Sequence, residues 1–163
     1  MQFNLGELTL AEHSYQTSLQ WTGNKGQGTK NYRAYDRAYE IEVAGKPIIY
    51  GSSDPVFRGD RTKYNPEELL VASLSSCHLL WYLHLCSEAK VIVVDYQDKA
   101  LGKMSETQDG SGRFTKVILQ PEVTISAKSS IEQAKQLHRE AHQFCFIANS
   151  VNFPVLCQPS VIK

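Results

Sequence analysis

From Leu69 to Ser87 the chain runs for nineteen residues without Asp, Glu, Lys or Arg. Asn65 just before this run is a good N-cap, Pro66 suits the first helical position, and Glu68 stands three residues after the cap, so the pattern predicts a long helix beginning at Asn65. The run has the length of a membrane span. Its four Ser, two His and two Cys weigh against that reading, and a helix apolar on all faces is instead expected to be enclosed on nearly all sides by protein. Before it, residues 14–22 and 38–43 are rich in aromatic and β-branched residues with partial alternation, which predicts strands. Ala44-Gly45-Lys46 turns the second of these into 47–51, making 38–51 a hairpin. Residues 51–64 are dense in Gly, Ser, Asp and Pro and read as a loop. After the helix, 91–104 and 113–127 predict two strands around the turn Asp109-Gly110-Ser111-Gly112. A second helix is expected to start near Ser129, with Glu132 completing a capping box and an apolar stripe of Ala134, Leu137, Ala141, Phe144 and Ala148. Residues 153–162 read as a last strand that Pro154 and Pro159 restrict to a sheet edge. This order of elements predicts an α+β domain, one domain over residues 1–163.

Bulk numbers narrow the function. Apolar content is 42% and charged content 21%, the balance of a globular chain. Lys+Arg and Asp+Glu both number 17, so the formal net charge is zero. No basic surplus is present to bind a phosphate backbone, which argues against nucleic acid as a partner. Residues 1–14 show no basic segment followed by an apolar core and do not read as a signal peptide; the expectation is a cytoplasmic protein, not a membrane one, with its thiols reduced. Four cysteines, Cys77, Cys86, Cys145 and Cys157, are then free, buried, catalytic or metal-bound rather than a disulfide framework.

Cys77 lies inside the uncharged helix, where a thiol ordinarily packs as a small hydrophobe and its pKa is raised. A reactive Cys77 therefore needs a cation from elsewhere in the chain, and Arg58, Arg61, Arg33 and Arg37 are available. Glu67 either serves the helix dipole, as Glu68 does, or holds an arginine by a paired carboxylate contact. Cys145 sits near the end of the second helix. His138, His142 and Cys145, at i, i+4 and i+7, can also be read as one metal-binding face, and a Cys-His nucleophile for acyl transfer or hydrolysis is a further alternative. His78 follows Cys77 directly, so it points about 100° away and is a poor base for it. His84 has no assigned role, and Cys86 and Cys157 read as packing residues.

The stretch NPEELLVASLSSC, residues 65–77, resembles the signature of the osmotically inducible protein C (OsmC) and organic hydroperoxide resistance superfamily, in which Asn-Pro-Glu opens the central helix and a reactive cysteine follows the Glu by ten residues. Cys145-Phe146-Ile147-Ala148-Asn149-Ser150 is similar to the second, looser signature. The resemblance covers essentially the whole chain. It implies an OsmC-like fold in which two long helices pack against antiparallel sheets in an intertwined homodimer. It further implies that Cys77 is the peroxidatic cysteine, Cys145 the resolving cysteine, and Glu67 the acid that pairs with an active-site arginine. Arg58 is the best match for that arginine, with Arg37 and Arg61 in reserve. Phe146 stands where many members have Pro, and His78 where many have a small or aromatic residue, which marks a divergent branch.

The expected activity is reduction of an organic hydroperoxide by a sulfenic acid and disulfide cycle. An external dithiol is the reductant, and neither a metal nor another cofactor is required. Phe57, Leu74 and Trp81 are expected to line the substrate site, with Leu80 contributing, and to favour an alkyl or lipid hydroperoxide.

Overall fold

The computed structural model describes residues 12–163; most of the 1–14 segment read as lacking a leader lies outside them. The backbone divides into two compact units, one ending at Tyr64 and the other spanning Asn65–Lys163.

In the first unit β1 (Ser18–Trp21), β2 (Tyr39–Glu42) and β3 (Ile49–Gly51) form an antiparallel sheet in that order. The expected 38–51 hairpin is present, with Tyr39 opposite Gly51 and Ile41 opposite Ile49. Its turn passes through Gly45 at φ 76°, a conformation that costs a residue without a Cβ little. The 51–64 loop carries a 3-10 turn, Pro55–Phe57, capped by the Asp54 side chain. The loop returns so that Ser52 N–H donates to the Tyr64 carbonyl at 2.9 Å.

The second unit begins with α1 (Pro66–Glu88), and the sequence signals at its start hold. Asn65 Oδ1 accepts from Glu68 N–H at 2.8 Å, and Glu68 Oε2 accepts from Asn65 N–H at 3.1 Å, completing the capping box. The expectation that α1 is enclosed on nearly all sides is not met within one chain. Its buried residues are Leu74, His78, Tyr82 and Cys86, a single stripe at spacing four. Leu80 is 66% exposed. By length and composition α1 is a helix that can cross a membrane.

The two long strands expected after α1 are each broken in two. They become β4 (Val93–Asp98) and β5 (Leu101–Glu106), then β6 (Gly112–Leu119) and β7 (Pro121–Ile125). β4 pairs with β7 and β5 with β6, both antiparallel, so one long ribbon is split between two sheets. Asp98 bolts the break: its Oδ1 accepts from Gln120 N–H at 2.7 Å and its Oδ2 from the Ser75 hydroxyl of α1 at 2.5 Å. β5 lies hard against α1 at Gly102, where a Cβ would come within 2.7 Å of Val71 Cγ2.

Helix α2 (Ile131–Phe144) is capped by Ser130, whose side chain accepts from Gln133 N–H. The expected Ser129–Glu132 capping box does not form, because Ser129 Oγ is used instead to accept from Ile92 N–H at 2.9 Å. The helix stops at Phe144, so Ala148 is not part of its stripe and falls in a separate turn, Ala148–Ser150. The final strand is also two, β8 (Val155–Cys157) and β9 (Ser160–Ile162), broken at Gln158–Pro159. Each is an edge, as the prolines require, but each pairs parallel: β8 with β6 and β9 with β7. The sheets β4-β7-β9 and β5-β6-β8 are therefore mixed rather than antiparallel.

Two apolar clusters follow from this split. Leu74 packs with Val117, Leu119 and Val155. Tyr82 and Cys86 pack with Val123, Ile125, Ala134, Leu137, Ala141 and Val161. His78 stands between them on the same helix stripe.

Leu74 has no exposed surface, so Leu74→Ala should cost about 2–5 kcal/mol, whereas Asn65→Ala should cost only about 1 kcal/mol. Urea denaturation of both variants checks this, and equal losses would contradict the assignment of Leu74 to the core.

Candidate active site

Two thiols meet at the end of α2. Cys77 is half-buried on α1, and Cys145 is the C-cap of α2 with only 1% of its surface exposed. The backbone leaves the helix at Cys145 in an extended conformation, φ −67° and ψ 106°, and the thiol accepts from Ala148 N–H at 3.4 Å. Burial, followed by the neighbouring Cys77 side chain, pushes the Cys145 thiol up to about 11; the Ala148 amide works in the opposite direction. All four cysteines are free thiols.

Aromatic rings at sequence positions close to this pair pack on one another. Trp81 stacks on Phe144 at 5.2 Å between centroids and meets Phe146 edge-on at 5.6 Å, with His84 edge-on at 5.7 Å. Phe144 was expected in the core stripe of α2 but is 48% exposed, and Phe146 is 66% exposed. Trp81, expected to line a substrate site, is half-buried and packs with the two phenylalanines that flank Cys145 in sequence. Leu74, expected to line the same site, is sealed in the core and offers nothing to a ligand, because its helix position faces β6 and β8. Phe144 and Phe146 were missed as surface residues. The signal available was their flanking of Cys145.

Glu67, in the first turn of α1, has one buried carboxylate oxygen, Oε2, with no hydrogen-bond partner among the described residues. The candidate arginines belong to the first unit. Arg37 is committed there: its guanidinium donates to the Tyr35 carbonyl at 2.7 Å and the Tyr32 carbonyl at 2.8 Å, and lies over both rings at 4.3 and 4.0 Å. Arg61 is exposed in the loop. Arg58 sits at the end of the Pro55–Phe57 turn in the left-handed conformation, φ 64°. That backbone costs a non-glycine residue about 1–2 kcal/mol. Its guanidinium is 5.9 Å from the Tyr32 ring, and it lines a 290 Å³ cavity with Arg37, Asp60 and Lys63. Phe57 is 45% exposed beside it.

The expected metal face His138, His142 and Cys145 does not converge, because Cys145 has left the helix toward Cys77. His138 points instead to α1, its Nδ1 3.0 Å from His78 Nε2. The residue that joins this pair is Cys157, whose Sγ lies 3.5 Å from His78 Nε2. Cys157 was read as packing, and nothing local to it in sequence points to a histidine 79 positions away. A Cys-His nucleophile is not formed here either, since burial, then Asp98, push the Cys157 thiol up to about 12.

The family model described as OsmC-like protein matches residues 59–159. The chain belongs to the OsmC family. Among solved structures, an OsmC-like protein of unknown function from Vibrio cholerae is 32% identical with a TM-score of 0.81, covering 93% of this chain and 100% of that one. A putative organic hydroperoxide resistance protein, also from Vibrio cholerae, with captopril bound in one of its active sites, is 25% identical with a TM-score of 0.64; it covers 92% of this chain and 93% of its own. An organic hydroperoxide resistance protein from Elizabethkingia anophelis shares the fold at 19% identity and a TM-score of 0.66, with 94% and 99% covered. No curated protein sequence matches. This OsmC-family chain has the α+β fold of its relatives, two helices packed on mixed sheets.

A thiol held at about 11 is almost wholly protonated at neutral pH. Alkylation of Cys145 in the folded, reduced protein should therefore be slow at pH 8 and rise about tenfold per pH unit toward pH 11. Site-resolved mass spectrometry of a maleimide time course reads this, and a pH-independent rate would refute the buried assignment.

Proposed function

We propose that this OsmC-family chain is a cytoplasmic thiol peroxidase that reduces organic hydroperoxides. The observation that carries the reading is the meeting of Cys77 and Cys145 at the C-terminal end of α2. A half-buried thiol next to a buried one is the arrangement that a peroxidatic and a resolving cysteine require. In the cycle, the Cys77 thiolate attacks the distal peroxide oxygen. The O–O bond breaks, the alkoxide leaves with a proton as the alcohol, and the sulfur is oxidised to a sulfenic acid. Cys145 then condenses with it; water leaves and a disulfide forms. An external dithiol returns both thiols and is itself oxidised.

Arg58 is the cation assigned to the thiolate, oriented by Glu67. Its left-handed backbone and the lack of a side-chain hydrogen bond among the described residues distinguish it from Arg37, and local strain of this kind is concentrated at functional positions. The unpartnered Glu67 oxygen fits a carboxylate awaiting an arginine. Trp81, with Phe144 and Phe146, supplies an apolar surface suited to an alkyl or lipid hydroperoxide, and Phe57 is assigned to the same surface.

The whole chain, 1–163, acts in this reading as one OsmC-like domain within an intertwined homodimer. The support is a single buried stripe on an α1 that is uncharged from Leu69 to Ser87, together with a first sheet whose β1 is exposed throughout. Leaving that much apolar surface in water is the mark of an interface.

Peroxide consumption with a dithiol reductant tests the cycle. Cys77→Ser should abolish turnover of an alkyl hydroperoxide, and Cys145→Ser should stop after one turnover with Cys77 passing to the sulfinic acid. Arg58→Ala should lose about ten- to a hundredfold, the effect of removing a nearby cation from a thiolate. Wild-type turnover by Cys77→Ser would sink the proposal. Sedimentation should give twice the 18.3 kDa chain mass; a monomer at micromolar concentration would remove the dimer.

A further inference from the structure

We propose that His78, His138 and Cys157 form a binding site for one zinc-type divalent ion, separate from the Cys77–Cys145 pair. Three elements bring these side chains together: His78 from α1, His138 from α2 and Cys157 from the end of β8. His78 Nε2, His138 Nδ1 and Cys157 Sγ all lie within 4.8 Å of one another. The nitrogens are 3.0 Å apart, and Cys157 Sγ is 3.5 Å from His78 Nε2. Around a tetrahedral zinc with bonds of about 2.0 Å to nitrogen and 2.3 Å to sulfur, neighbouring donors are about 3.3–3.6 Å apart, so side-chain shifts of less than about an ångström centre an ion among them.

The donor set fits that ion class. Two imidazoles and a thiol with no carboxylate favour zinc over magnesium or calcium. Both histidines have 1% or less of their surface exposed. Burial of this depth disfavours a charged imidazole, and a neutral ring keeps one lone pair for a metal. Tyr82 lies flat on His138 at 3.7 Å between centroids and fixes its plane.

As the side chains stand, the two imidazoles share a hydrogen bond. Their planes differ by 5° and their centroids are 5.3 Å apart, as far as a 3.0 Å nitrogen contact allows, so the rings meet end to end. An ion takes the place of that shared proton. Each ring turns until its lone pair points at the metal, and one ring changes tautomer. The protons then sit on His78 Nδ1 and His138 Nε2, both buried and without a partner among the described residues. The thiol proton leaves to solvent as the sulfur–metal bond forms. No electrons are transferred.

A path in and a fourth ligand are both available. His138 and Cys157 line a cavity of about 530 Å³ together with His142, Gln143, Lys135 and Arg139. With His138 and Cys157 on this cavity and His78 behind them, the fourth position falls to water or His142, one helical turn beyond His138. The inference does not depend on the peroxidase reading.

The test is a cobalt(II) titration of the full, tag-free, reduced protein after chelator treatment. The expected result is one cobalt per chain, with tetrahedral d–d bands and a sulfur-to-cobalt charge-transfer band, both displaced by zinc. Cys157→Ser should remove the charge-transfer band, and His138→Gln should weaken binding at least about tenfold. The Cys77→Ser/Cys145→Ser double variant should keep both bands. Failure to bind cobalt or zinc saturably at micromolar concentration, survival of the charge-transfer band in Cys157→Ser, or its loss in the double variant each overturns the proposal. Should His138→Gln fail to fold, the near-isosteric Cys157→Ser decides alone.

Discussion

One buried stripe on α1 organises the second unit. Leu74, His78, Tyr82 and Cys86 recur every four residues, so they drift slowly around the helix and face different partners along its length. Leu74 meets β6 and β8; Tyr82 and Cys86 meet β7, β9 and α2. An unbroken ribbon would present one sheet to both ends of the helix. The ribbon breaks at Asp98 and Gln120 instead, and Asp98 is held to α1 by Ser75, one turn before His78 on the adjoining face. Polar groups therefore gather where the two apolar clusters part. Each needs a partner because neither core can solvate it.

How much of this the sequence shows depends on the span of the interaction. The Asn65–Glu68 capping box lies within one helical turn, and its residues alone predict it. Ser129 and Ser130 are equally good caps locally. The choice is made by Ile92, 37 residues earlier, which claims the Ser129 hydroxyl. The breaks in the ribbon depend on an aspartate bonding to a backbone amide 22 residues on, and period-two alternation runs through such a break unaltered. Cys157 is the extreme case. In sequence it is a thiol on a proline-bounded edge strand; in the fold that edge pairs parallel with β6 and delivers it to His78. The Cys77–Cys145 pair was anticipated by resemblance to a family signature, since spacing alone left both as ordinary core thiols.

The exposed surface of α1 also changes meaning once the fold is known. An uncharged helix predicts enclosure, and one chain encloses only the stripe. Leu80 and Leu83 remain outward. A membrane would cover them, but α1 also buries His78 and bonds Ser75 to Asp98, contacts that tie it into a globular unit. Whatever covers them must leave those contacts intact.

Adjacent residues on α1 face different partners. Cys77 and His78 are one residue apart, so their side chains diverge by about 100°. Their respective neighbours, Cys145 at the C-cap of α2 and His138 within it, are seven residues apart. The helices thus separate the two sites by direction on one side and by distance on the other. The consequence bears on the thiolate. His78 is the nearest imidazole to Cys77 in sequence, but burial keeps it neutral near pH 7 and its Nε2 is turned to His138 and Cys157. It cannot supply the positive charge that a thiolate in apolar surroundings requires. His142 and His84 stand on the cavity and on the Trp81 edge respectively. A guanidinium carries a positive charge at any pH the protein meets. Within the first unit, the Arg37 guanidinium is already spent on the Tyr32 and Tyr35 carbonyls.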